Sequence, residues 1–198
     1  MISPSDKEYK MTKQIMFGKT IMNPDFRQLA DFIDQTFGVR TLNIIYDTID
    51  NGKRPRLGVY FEFEQEKQSF NENNGFANFD SKKQKLIADK FKQILNNQGI
   101  EKKKGLFDFL TKSARGKYNT DNIWIYYSAF EPIARDEANE RVPQNRVAQL
   151  QSELNCKELW EISRCFSGTT FFLYTDEQVK QYENSDMRKL WADKYSTY

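Results

Sequence analysis

The stretch from Val39 to Glu64, VRTLNIIYDTIDNGKRPRLGVYFEFE, decides the fold class. Two runs rich in β-branched and aromatic residues flank Asp50-Asn51-Gly52-Lys53-Arg54-Pro55, and Asn-Gly between such runs is a strong short-range hairpin signal. In the second run Leu57, Val59, Phe61 and Phe63 alternate with Gly58, Tyr60, Glu62 and Glu64. Alternation with period two puts the first set on a core face and the second on a polar face.

Upstream, Asn23-Pro24-Asp25 is a helix start with a side-chain cap, proline in the first turn and an early acid. Phe26, Leu29, Ala30, Ile33 and Phe37 then mark one apolar stripe, and Gly38 supplies a left-handed stop. Residues 15–22 read as a short strand, and 1–13 as a flexible N-terminus without periodicity. Downstream, Asp80-Ser81 opens a helix over 82–97. Residues 122–130, NIWIYYSAF, read as a strand apolar on both faces, and therefore central in a sheet. Residues 132–143 read as a helical turn plus loop, and 144–154 as a helix. Strands KELWEISRCF and TTFFLYT follow, then helices capped by Thr175 and Ser185.

The two halves share an order, strand, helix, strand, strand, helix. Phe37-Gly38-Val39-Arg40-Thr41-Leu42 aligns with Leu154-Asn155-Cys156-Lys157-Glu158-Leu159, with Ile33 on Leu150, Ala30 on Val147 and Ile45 on Ile162 at a constant offset of 117. Gly and Asn are the residues that best tolerate a left-handed cap. The expected fold is α+β, with antiparallel sheets covered by helices and a pseudo-duplicated unit. It is divided into a terminus 1–13, a first half 14–98, a basic connector 99–121 and a second half 122–198, the parts together forming one compact domain.

Composition excludes several chemistries. The 198 residues contain no histidine, which removes Ser-His-Asp and Cys-His nucleophile systems and histidine acid/base catalysis. Cys156 and Cys165 form no zinc pattern and, with no base to activate them, read as buried structural thiols. No P-loop, GxGxxG or GxSxG occurs, so no catalytic residue, metal or cofactor is assigned. The polar start and the absence of a long apolar run point to a cytoplasmic protein without a membrane partner.

Two surfaces remain as candidates. Tyr60, Glu62 and Glu64 on one strand face, with Tyr126, form a candidate ligand site whose two carboxylates would stand about 7 Å apart. Residues 82–117 carry 11 Lys and Arg against 3 Asp and Glu, a net of +8, so the remainder totals −6 within an overall +2. There Lys102, Lys103, Lys104, Lys112, Arg115 and Lys117 interleave with Phe107, Phe109 and Tyr118 in a pattern suited to a polyanion. The mild pI of about 8.4 argues against nucleic acid. Trp124, Tyr126, Tyr127, Trp160, Phe171, Phe172 and Tyr174 read as core, with some lining a pocket. The leading expectation is a binding or interaction protein that holds a small molecule or another protein in a cleft between the halves. The alternatives are an enzyme using Glu62, Glu64 and Tyr126, and a polyanion binder using 82–117.

Overall fold

Asp50, Asn51 and Gly52 all take positive φ (53°, 55° and 85°), so the Asn-Gly turn forms where its residue types allow it. It joins β1 (Thr41–Ile49) to β2 (Arg54–Phe61) as an antiparallel pair. The computed structural model describes residues 3–72, 78–102, 116–166 and 168–197. The chain divides into two compact units, Met1–Glu131 and Pro132–Tyr198.

In the first unit α1 (Lys7–Met16) precedes a tight turn at Pro24–Phe26, whose Asn23 Oδ1 accepts from the Asp25 N–H at 3.1 Å. Then come α2 (Arg27–Phe37), the hairpin, α3 (Glu64–Gln68), α4 (Ser81–Gln98) and β3 (Trp124–Ala129). The strand order is β1-β2-β3. β3 runs parallel to β2, with Gly58 opposite Tyr126. This departs from an all-antiparallel sheet, and the reason is the long connection containing α4, since parallel neighbours need a crossover. α2 and α4 cover one sheet face, burying Leu29 and Ile33 with Leu57, Val59, Phe61, Ile87, Phe91, Leu95, Ile125 and Tyr127.

Three expectations are corrected here. Residues 1–22 hold α1 rather than a loose terminus followed by a strand. The helix exists because the second sheet face buries its Tyr9 and Thr12, a partner that local periodicity does not reveal. β3 is buried on both faces, yet it is an edge strand: on the face away from α2 and α4, Tyr126 meets Tyr60 and Phe130, which follows the strand, stacks on Tyr9 of α1. Because β3 pairs with β2, the first unit runs on through Glu131 and does not end at a connector over 99–121.

α5 (Phe130–Arg141) spans the junction of the units as a full helix rather than a turn and loop. The second unit continues with α6 (Gln144–Leu154), the antiparallel hairpin of β4 (Leu159–Cys165) and β5 (Gly168–Leu173), α7 (Asp176–Tyr182) and α8 (Asp186–Ser196). Val147, Leu150, Leu159, Ile162 and Trp191 make its core, so one face of the hairpin is packed. No helix among the described residues is long and apolar enough to cross a membrane.

The local likeness of the two units extends beyond element order. α2 ends at Gly38 (φ 67°) and α6 at Asn155 (φ 45°), both left-handed. The fourth residue before each cap ties the helix to the next strand: Asp34 accepts from the Thr41 N–H at 2.7 Å, and Gln151 donates to the Trp160 carbonyl at 2.6 Å. Each first strand carries one extra residue after its opening pair, Leu42 between Thr41 and Asn43 and Trp160 between Leu159 and Glu161. Two residues beyond each second strand a helix begins, with Glu66 accepting from the Phe63 N–H at 2.9 Å and Gln178 from the Thr175 N–H at 3.1 Å. The shared plan is helix, strand, strand, helix. The leading strand expected in each half is missing from both, since α1 replaces the first and β3 belongs to the other unit's sheet.

Candidate functional site

Of the four residues expected to bind a ligand, Tyr60 and Tyr126 meet. Their hydroxyls are 2.6 Å apart and their rings are edge to face. Gly58 makes this possible, because a Cβ there would lie 2.4 Å from the Tyr126 hydroxyl. Burial pushes both phenols above their ordinary value, so they remain protonated and neither serves as a base at neutral pH. Arg56 lies 5.0 Å from the Tyr126 ring centre, pairs with Asp47, and reaches Glu8 of α1 at 3.5 Å. The side-chain hydrogen bond to Asp47 is the largest influence holding the guanidinium charged. Thr12 accepts from Asn43 at 3.2 Å, and Tyr9 stacks on Phe130 at 5.3 Å. These contacts brace α1 against the sheet.

Glu62 and Glu64 do not join that cluster. β2 ends at Phe61, so the alternation that would align them stops. Glu62 pairs with Arg40 at 2.7 Å, and Glu64 has passed into α3, where it pairs with Lys67 at 2.9 Å. The expected pair of carboxylates on one strand face is therefore not formed. Nor do Glu62, Glu64 and Tyr126 present a common acid/base group. Among the described residues no cluster of acidic or sulfur ligands could hold a metal ion.

Of the basic segment, Lys103, Lys104, Lys112 and Arg115, with Phe107 and Phe109, lie outside the described residues. Lys102 is exposed at the end of the bridge between Glu101 and Tyr118. Lys117 is bound to Asp25 at 2.6 Å, a contact that raises the lysine and, with the Tyr118 hydrogen bond, lowers the carboxyl. Tyr118 is not a free stacking surface; it is buried against Phe26 and Tyr46 at 5.0 Å each, with its hydroxyl on Asp25. Cys165 is likewise exposed at the end of β4 rather than buried, while Cys156 is half-buried.

The second hairpin presents what the sequence reading missed. On β4–β5 the residues Leu159, Ile162, Phe171 and Leu173 pack inward. Trp160, Phe172 and Tyr174 stand outward, 55%, 41% and 63% exposed. Trp160 meets Phe172 edge to face at 6.1 Å and Tyr174 at 6.4 Å, so the three rings form one surface. In the first unit the residues at the same places in the ladder are Leu42, which the strand register sets with Trp160 rather than with Leu159, and Tyr60; they are 7% and 1% exposed. α5 meets this hairpin near its tip, where Asn139 donates to the carbonyls of Phe166 and Gly168 and its carbonyl accepts from Arg164.

The extra residue at Trp160 explains why periodicity concealed this surface. It shifts the phase of β4, so that the inward residues are Leu159 and Ile162, three apart, and Trp160 reads as core. Strict alternation in Phe171-Phe172-Leu173-Tyr174 was the available signal. The rim is acidic: exposed Glu161 pairs across from Phe172, and exposed Asp176 and Glu177 follow Tyr174. Residues 157–177 carry Lys157 and Arg164 against Glu158, Glu161, Asp176 and Glu177, a net of −2. Arg164 is turned to the carbonyls of Asn139 and Val142 and to Gln144. The aromatic surface therefore stands beside exposed carboxylates. No family model matches this chain, and no curated protein or solved structure matches it either.

Proposed function

We propose that this chain is a non-catalytic polypeptide-binding protein, and that its docking surface is the outer face of the β4–β5 hairpin. The observation that carries the reading is the exposure of Trp160 and Phe172 at places where the first unit buries its side chains, with exposed Tyr174 beside them. Large aromatic residues are the commonest energetic anchors of protein interfaces, and contiguous exposed apolar surface is seldom retained without a partner. The reading keeps the binding class expected from composition and assigns Tyr60 and Tyr126 to holding α1 rather than a ligand. It gives no part to Glu62 and Glu64.

Selection of a displayed random-peptide library on the full chain tests it. Recovered peptides should bind the wild type and lose at least about tenfold in affinity to the Trp160→Ser/Phe172→Ser variant. Recovery only of peptides that bind both proteins equally would overturn the reading.

A further inference from the structure

A second apolar surface exists in the first unit, with the opposite charge. Beyond the buried Tyr9 and Thr12, α1 turns Met11 and Met16 outward, and the segment that follows exposes Phe17 and Ile21 at 60% and 78%. Lys13 and Lys19 place their ammonium groups 5.9 and 6.0 Å from the Phe17 ring centre. Lys7, Lys10 and Lys19 are exposed. Residues 7–21 carry four lysines against Glu8 alone, a net of +3, opposite in sign to the net −2 of residues 157–177.

We infer that the occupant of the β4–β5 aromatic face is a second copy of this chain, docking through the basic, apolar surface of α1 and Phe17–Ile21. The inference rests on the polypeptide-binding reading above and names its partner. Phe17 and Ile21 would cover Trp160 and Phe172, while the lysines meet Glu161, Asp176 and Glu177. Opposite charge sets the orientation, and aromatic burial with lysine against exposed ring faces supplies affinity. The two surfaces differ, so the contact is head to tail: each copy offers one donor surface and one acceptor face.

Sedimentation of the full chain over a concentration series tests this directly. The wild type should exceed one chain in mass as concentration rises, and high salt should reverse the gain because the rim charges are exposed. Phe17→Ser/Ile21→Ser removes the donor and Trp160→Ser/Phe172→Ser the acceptor, and each variant alone should remain a single chain. Mixed in equal amounts, the two should form a species of two chains, since one intact donor then meets one intact acceptor. A wild type that stays a single chain at every concentration overturns the inference. So does a mixture that stays monomeric, and so does either variant assembling on its own, which is the result for a contact of like with like.

Lys10→Glu/Lys19→Glu and Glu161→Lys/Glu177→Lys give the same test without altering an apolar residue. Each should remain a single chain, and combining all four changes in one chain should restore assembly; failure to restore it also counts against the inference. Peptides from the library that still need Trp160 and Phe172, beside a wild type that stays single, would refute the second copy alone. Absence of both results would refute the docking surface itself.

Discussion

The two hairpins follow one local plan and differ in how many sides are covered. β1–β2 has α2 and α4 on one face and α1 on the other, whereas β4–β5 is packed on one face and open on the other. Seven of the thirteen large apolar side chains exposed among the described residues fall in Pro132–Tyr198, about a third of the chain. A third layer therefore turns aromatic strand residues into core, and its absence leaves similar residues as surface. The comparison also separates the roles of tyrosine: Tyr60 and Tyr126 satisfy each other in a buried pair, while Tyr174 is left to solvent.

The largest test strikes the layer that both hairpins share. Ile33 and Leu150 occupy the same helix position and are both fully buried. Ile33→Ala and Leu150→Ala should each cost about 2–5 kcal/mol, read by thermal or denaturant unfolding. Hydrogen exchange should localise the damage to β1–β2 in the first case and to β4–β5 in the second. Equal loosening of both hairpins by either change would break the comparison.

The next addresses the covered face alone. Tyr60→Phe leaves the buried Tyr126 hydroxyl without its partner and should cost about 1–3 kcal/mol in the same unfolding measurement. Alkaline pH probes the same pair. Both phenols are raised in the folded state, so their contribution is complete below the unfolded value of about 10 and is lost as pH climbs above it. Exchange protection of β2 should fall over that alkaline range, and a profile unchanged in Tyr60→Phe would contradict the assignment.

The two helix stops offer a smaller contrast. Gly38→Ala places a Cβ in a left-handed position and should cost about 1 kcal/mol, whereas Asn155→Gly should be neutral or slightly stabilising. Matched melting curves would show the difference in sign. The smallest effect belongs to the open face: Tyr174→Ser should change stability by no more than about 0.5 kcal/mol. The same variant should weaken library-derived peptides, and that separation of binding from stability marks a surface residue.

Much of this plan was legible in the chain. The capped turn at Asn23-Pro24-Asp25, the stops at Gly38 and Asn155, the Asn51-Gly52 hairpin and the caps at Thr175 and Ser185 all appear where their residues indicate. The candidate site was less legible. Tyr60 and Tyr126 do come together, but the carboxylates expected beside them depended on β2 continuing past Phe61, and it does not. Trp160 looked like core because one inserted residue shifts the phase of β4.

What the sequence determined by itself is the set of decisions made within a few residues: where helices start and stop, where the chain reverses, and which residues alternate. These follow from φ preferences and from side chains bonding to nearby backbone groups. The tertiary structure alone decided that α1 lies on the sheet, that β3 joins β2 in parallel, and that Trp160, Phe172 and Tyr174 stay open. Burial depends on layers contributed by residues far along the chain, and alternation in a strand reports two faces without saying how many will be covered.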